Sequence, residues 1–225
     1  MSNDNMSNKR KSVATLDVNT NYTKILVVGA PHSGKSKLIE KYSRTNNIEL
    51  KPRVNESTDS VTYFTKVITK AVSLTEISSN SLQLPHHIRE SEGFIFVYDL
   101  TSVTSFQELI KLKPLLYKNF PSTRIPLIIV GTNSELSHEN AFDNKEIIDA
   151  MSNFMDDNYT VPHFEVKDDE TVFCAFVSII NEIEDVHKQH AEPELNGKQK
   201  HKSSDTLKNK RISEAFKRLS LFFKK

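Results

Sequence analysis

Apolar positions crowd between Lys24 and His187 and thin out toward both ends of the chain. Within that stretch, short continuous apolar runs alternate with segments of helical spacing. Lys24-Ile25-Leu26-Val27-Val28 ends at Gly29, Phe94-Ile95-Phe96-Val97-Tyr98 ends before Asp99, and Ile125 to Val130 is broken by Gly131. Runs of this kind read as strands buried on both faces of a parallel sheet. Lys35 to Arg44 sets Leu38, Ile39 and Tyr42 on one helical face, and the spacing returns from Val103 through Phe106, Leu109, Ile110 and Leu112. Val61 to Thr69 and Ala71 to Ile77 alternate apolar and polar residues, which predicts two antiparallel strands. The polar stretch from Thr45 to Asp59, with Pro52 inside it, reads as a long loop.

Further helices are predicted over Asn144 to Phe154, with Ile147, Ile148 and Met151 inward, and over Thr171 to His187. A short strand is predicted over Val161 to Val166. Strands alternating with helices at this spacing specify an α/β domain, here a mostly parallel six-stranded sheet with helices on both faces. Residues 1–21 are rich in Asn, Ser, Lys and Asp and read as a disordered arm. The domain is expected over 22–190, a flexible linker over 191–205 and a basic amphipathic helix over 206–225.

Composition narrows the function classes. The net charge of +1 argues against wholesale binding to nucleic acid. Cys174 is the only cysteine, which excludes an intrachain disulfide or a Cys-based zinc site and fits a reducing compartment. The polar N-terminus shows no signal-peptide pattern, and the longest apolar runs fall far short of the roughly 20 residues a membrane span needs. A cytoplasmic protein is expected.

The segment Gly29-Ala30-Pro31-His32-Ser33-Gly34-Lys35-Ser36 matches G-x-x-x-x-G-K-S/T. Gly29 and Gly34 permit the backbone conformations that turn successive N–H groups inward as an anion nest. The helix beginning near Lys35 adds its positive end. Lys35 would reach the β- and γ-phosphates, and the Ser36 hydroxyl would ligate Mg²⁺. The motif stands between a buried strand and a helix, which is the context it requires.

From Lys24 to about His187 the chain resembles a small GTPase of the Ras superfamily. The P-loop, switch-like loop, hairpin and strands ending at Asp99 and Gly131 come in that family's order. The resemblance implies a P-loop G domain that binds GTP or GDP with Mg²⁺ and works through regulatory or effector proteins. It also exposes departures. The family's guanine-reading N-K-x-D reads Thr132-Asn133-Ser134-Glu135 here, so Asn133 and Glu135 become the base-contacting candidates and guanine selectivity is expected to weaken. The family's D-x-x-G, which meets Mg²⁺ and then the γ-phosphate, is best matched by Glu76-Ile77-Ser78-Ser79. The water-orienting Gln falls near Asn80 or Gln83, with no choice between them. Thr58 best matches the Mg²⁺-binding Thr of the switch loop, a solvated hydroxyl being the alternative. The later S-A-K loop maps to Lys167-Asp168-Asp169 and is not retained.

The chain ends without the prenylated Cys common in the family. On a helix, Ile212, Ala215, Phe216, Leu219, Phe222 and Phe223 fall within an arc of roughly 120°. Arg211, Lys217, Arg218 and Lys224 lie elsewhere around it. Such a helix suits peripheral binding to an anionic membrane surface or a partner's groove, and packing back on its own domain is the alternative. The expected function is an atypical Ras-like GTPase with poor intrinsic hydrolysis; the alternative is a pseudoGTPase scaffold without useful nucleotide binding.

Overall fold

The computed structural model describes residues 21–48, 50, 52–57, 59–120, 124–134 and 161–191. The chain divides into two units, Met1–Lys188 and Gln189–Lys225, and the elements that follow belong to the first apart from the end of the last helix. The expectations placed on the arm up to Thr20, on Thr58, Glu135, Asn144 to Phe154, and on the linker and terminal helix beyond Ala191 lie outside the described residues.

In chain order the elements are β1 (Thr23–Gly29), α1 (Lys35–Thr45), β2 (Pro52–Asn55), β3 (Ser60–Val67), β4 (Lys70–Ser78) and α2 (Leu84–Glu90). They continue with β5 (Gly93–Asp99), α3 (Val103–Asn119), β6 (Leu127–Thr132), β7 (His163–Glu165) and α4 (Asp169–Ala191). The described strands form one sheet in the order β2-β3-β4-β1-β5-β6-β7. The β2–β3 and β3–β4 pairs are antiparallel and the remaining pairs parallel.

The strands of the centre are hydrophobic on both faces because both faces are covered. Leu26, Val28, Phe94, Phe96 and Ile129 pack with Leu84 and Ile88 of α2 and with Phe106, Leu109 and Leu116 of α3. Ile25, Val27, Ile95, Val97 and Ile128 pack on the other side with Leu38, Ile39 and Tyr42 of α1 and Val172, Phe176 and Ile179 of α4. Parallel register brings Gly29 opposite Ser78 and Asp99 opposite Thr132, so the C-terminal ends of four strands share one edge. Open α/β sheets bind ligands outside those ends.

Three elements differ from the sequence expectation. The sheet has seven strands rather than six, because β2 lies within the stretch read as loop. All four β2 residues are exposed, so this edge strand carries no apolar alternation and is held by its pairing with β3. Helix α2 was not expected; only Leu84 and Ile88 are buried, too few to show a period, and Pro85 sits in its first turn, where Pro is tolerated. Helix α3 runs on past Leu112 to Asn119 through Pro114. Pro114 is exposed, which leaves the lost helical bond on the solvent side, while Leu116 anchors the next turn. None of the described helices is long and apolar enough to cross a membrane.

On β7, His163 stacks against Tyr98, with Nε2 3.0 Å from the Tyr98 hydroxyl. Burial holds the imidazole down at about 4 and pushes the Tyr98 phenol up. The unfolded chain therefore takes up the proton first. Stability is complete above about pH 6.5 and falls as the pH drops toward about 4, by on the order of 3 kcal/mol from this group. Chemical denaturation across that window measures the loss. His163→Phe should flatten the slope; a slope identical to the parent's would assign it to other groups.

Candidate phosphate and magnesium site

Strand β1 delivers Gly29 to the shared edge, and the chain returns into α1 through a tight loop. Ser33 N–H donates to the Ala30 carbonyl at 3.2 Å and closes a turn centred on Pro31 and His32. Pro pre-sets the first central position, and His32 takes a left-handed φ of 62° at the second, the pattern of a type II turn. Gly34 has φ 86°, and a Cβ there would stand 2.7 Å from Thr132 Oγ1, so both backbone and space demand glycine. Helix α1 then begins at Lys35 with no acidic residue in its first turn, which leaves its N-terminal N–H groups to an anion.

Lys35 is 7% exposed. Its Nζ donates to the carbonyls of Gly29 at 3.2 Å and Ala30 at 2.8 Å, which folds the ammonium over the loop. Burial lowers its pKa, opposed by the nearby Glu76 carboxylate. The next residue makes the bond that defines the site: Ser36 Oγ donates to Glu76 Oε1 at 2.7 Å. Glu76 lies on β4, opposite Val27 of β1, so sheet register fixes this meeting of residues 40 positions apart. Tyr63 Oη donates to the second Glu76 oxygen at 3.3 Å, and burial followed by the Glu76 charge pushes Tyr63 up to about 12. A hydroxyl and a carboxylate side by side are hard oxygen donors, the set Mg²⁺ takes. Ser36 and Glu76 are the residues that would hold the ion, which would neutralise phosphate charge when bound.

The carboxyl end of β4 turns back on the loop. Ser79 N–H donates to the Gly29 carbonyl at 3.0 Å, the acceptor that Lys35 also uses. Asn80 is exposed and its carboxamide oxygen accepts from Ser78 Oγ at 2.7 Å. Gln83 is exposed and occupies the position before α2.

At the end of β6, Thr132 is buried and its Oγ1 donates to the Ser33 carbonyl at 2.7 Å. The hydroxyl thus ties the loop after β6 to the phosphate loop. Asn133 has φ 59°, and its Nδ2 donates to Asp99 Oδ2 at 2.8 Å. Ser134 Oγ bonds to the Val166 carbonyl. Where the S-A-K loop was sought, Asp168 Oδ1 accepts from Thr171 N–H at 2.7 Å and Thr171 Oγ1 at 2.6 Å, an N-cap for α4 that lowers the Asp168 pKa.

The structure therefore brings Gly29 to Ser36 together with Glu76, Ser79 and Thr132, and leaves the side chains of Asn80 and Gln83 exposed. Tyr63 carried no sequence signal, since it acts across a hairpin. Asp168 did carry one: an acidic residue three before Thr171, at the head of a helical pattern.

The family model described as Ras family matches residues 24–185. Among curated proteins, the chain is 31% identical over 126 residues to the Ras-related and estrogen-regulated growth inhibitor of Bos taurus, covering 55% of this chain and 63% of that protein. It is 25% identical over 173 residues to the Ras-like protein rasB of Dictyostelium discoideum, covering 73% and 83% respectively. It is 30% identical over 123 residues to Ras-like protein 1 of Saccharomyces cerevisiae, covering 52% and 38%. The match thus spans less than two thirds of the growth inhibitor's length.

Proposed function

The chain belongs to the Ras family of small GTPases, and we propose that it is an atypical member: a guanine-nucleotide-binding regulatory module, slow in hydrolysis, that acts through protein partners. The observation that carries this reading is the Ser36–Glu76 bond beside Lys35. It supports a phosphate and Mg²⁺ site that survives the change from Asp to Glu.

Slow hydrolysis is inferred from the other half of the site. A Gln that orients the attacking water is part of the catalytic set in this class. The residue directly after Ser79 is Asn80, one methylene shorter and bonded to Ser78. The Ser79 N–H is already engaged by Gly29. Single-turnover hydrolysis of GTP should run below the roughly 4 × 10⁻⁴ s⁻¹ of intrinsic Ras turnover. A rate at or above that value would remove the impairment from the reading.

Base selectivity is expected to be weak for a related reason. The Asn133 amide is held by Asp99, and a site with fewer paired bonds to the base rejects the wrong base less steeply. ATP in large excess should compete measurably against labelled GTP, and complete indifference to ATP would contradict this. The same Asn133–Asp99 bond favours the second reading, a G-domain scaffold that holds nucleotide too weakly to use.

A further inference from the structure

Ser79 stands where the phosphate loop and the β4 edge meet. Its N–H and the Lys35 ammonium converge on one acceptor, the Gly29 carbonyl, at 3.0 and 3.2 Å. Two donors on one oxygen place Ser79 within a few ångströms of the phosphate lysine. Three residues before it, Glu76 holds the Ser36 hydroxyl. On either side, Ser78 and Asn80 satisfy each other at 2.7 Å. The Ser79 hydroxyl is different: it is shielded from solvent and has no hydrogen-bond partner.

A shielded hydroxyl without a partner carries a desolvation penalty that a hydrophobic or absent side chain would avoid. At the edge of a phosphate site, the group that relieves the penalty is an anionic oxygen, and an O–H donated to such an oxygen is a charge-assisted bond. Ser33 also has a shielded hydroxyl without a partner, but it packs under Gly29, 2.7 Å from where a Cβ of residue 29 would stand. Ser79 instead meets Gly29 through its carbonyl.

We propose that the Ser79 hydroxyl is a side-chain ligand for the terminal phosphate of a bound nucleoside triphosphate, and so sets the preference for triphosphate over diphosphate. The inference rests on the phosphate-loop reading above and adds to it a role for one side chain. The backbone N–H of Ser79 is engaged by Gly29, which leaves the hydroxyl as the donor this residue has to offer. A diphosphate lacks the phosphate that would accept it.

The test is equilibrium titration of the full chain with GDP and with a non-hydrolysable GTP analogue, each with Mg²⁺. Ser79→Ala should lower the ratio of analogue to GDP affinity by about tenfold, the worth of one charge-assisted bond. Ser79→Thr retains a hydroxyl and should hold the ratio near the parent's. A parental ratio in Ser79→Ala would overturn the proposal, as would an equal fall in Ser79→Thr. A parent that takes up neither nucleotide would overturn the phosphate-loop reading and this proposal with it. GDP binding with an unaltered ratio removes the proposal alone.

Discussion

Gly29→Ala is expected to lower the stability of the fold by about 4 kcal/mol or more, a loss of the size reserved for severe backbone conflict. A Cβ at this position would stand 2.0 Å from the Val97 carbonyl oxygen and 2.7 Å from Ser33 Oγ. The first contact is with backbone of the adjacent strand β5, so no rotamer change relieves it. The strands would have to separate where β1 is buried on both faces between β4 and β5. For a domain of this size, each kcal/mol corresponds to roughly 2–4 °C in Tm. Thermal unfolding should show a drop of about 10 °C or more; a drop of a degree or two would mean that the strands part cheaply here.

Lys35→Ala is expected to weaken nucleotide binding by about tenfold to a hundredfold, with a smaller effect on folding. The Lys35 ammonium lies over the loop on the Gly29 and Ala30 carbonyls. A bond from an ammonium to a phosphate contributes roughly 1.5–3 kcal/mol, which sets the range. Loss of its two carbonyl bonds costs the fold less than their gross worth, because removing the buried ammonium also removes its desolvation penalty. Displacement of a fluorescent guanine nucleotide measures the affinity, with thermal unfolding of the same sample as the control. Equal affinity in variant and parent would take the loop out of nucleotide binding. A collapse of stability with it would make Lys35 a structural residue.

The parts of the fold that were legible in the sequence are those whose burial leaves a pattern. β1, β5 and β6 announce themselves as continuous apolar runs because helices cover both faces. β2 could not, since Pro52 to Asn55 are all exposed and the strand exists through its pairing with β3. The phosphate loop was legible for a different reason: its glycines answer to backbone geometry, and Gly34 at φ 86° against Thr132 admits little else.

Motif comparison does not reveal the contacts of the loop after β6. The Thr132 hydroxyl ties it to the Ser33 carbonyl, a bond that requires only a donor within reach. Asn133 makes another. Its amide suits a base, but Asp99 sits close enough to take the hydrogen bond first. The match of Glu76 to the Mg²⁺-facing carboxylate rests on the family resemblance and on its place in the hairpin. Parallel register then places Glu76 opposite Val27, and its longer side chain still reaches Ser36 Oγ. Side-chain reach and sheet register are the two quantities a motif does not encode.

The most direct measurement of the central claim is a calorimetric titration of the nucleotide-stripped full chain with GDP in the presence of Mg²⁺. The expected result is saturable binding at one nucleotide per chain that weakens when Mg²⁺ is chelated. The contradicting result is no binding heat with GDP up to about 1 mM, a concentration at which even an affinity of roughly 4 kcal/mol would register. That outcome would leave the Ser36–Glu76 pair and the folded-over Lys35 as struts of a G-domain scaffold.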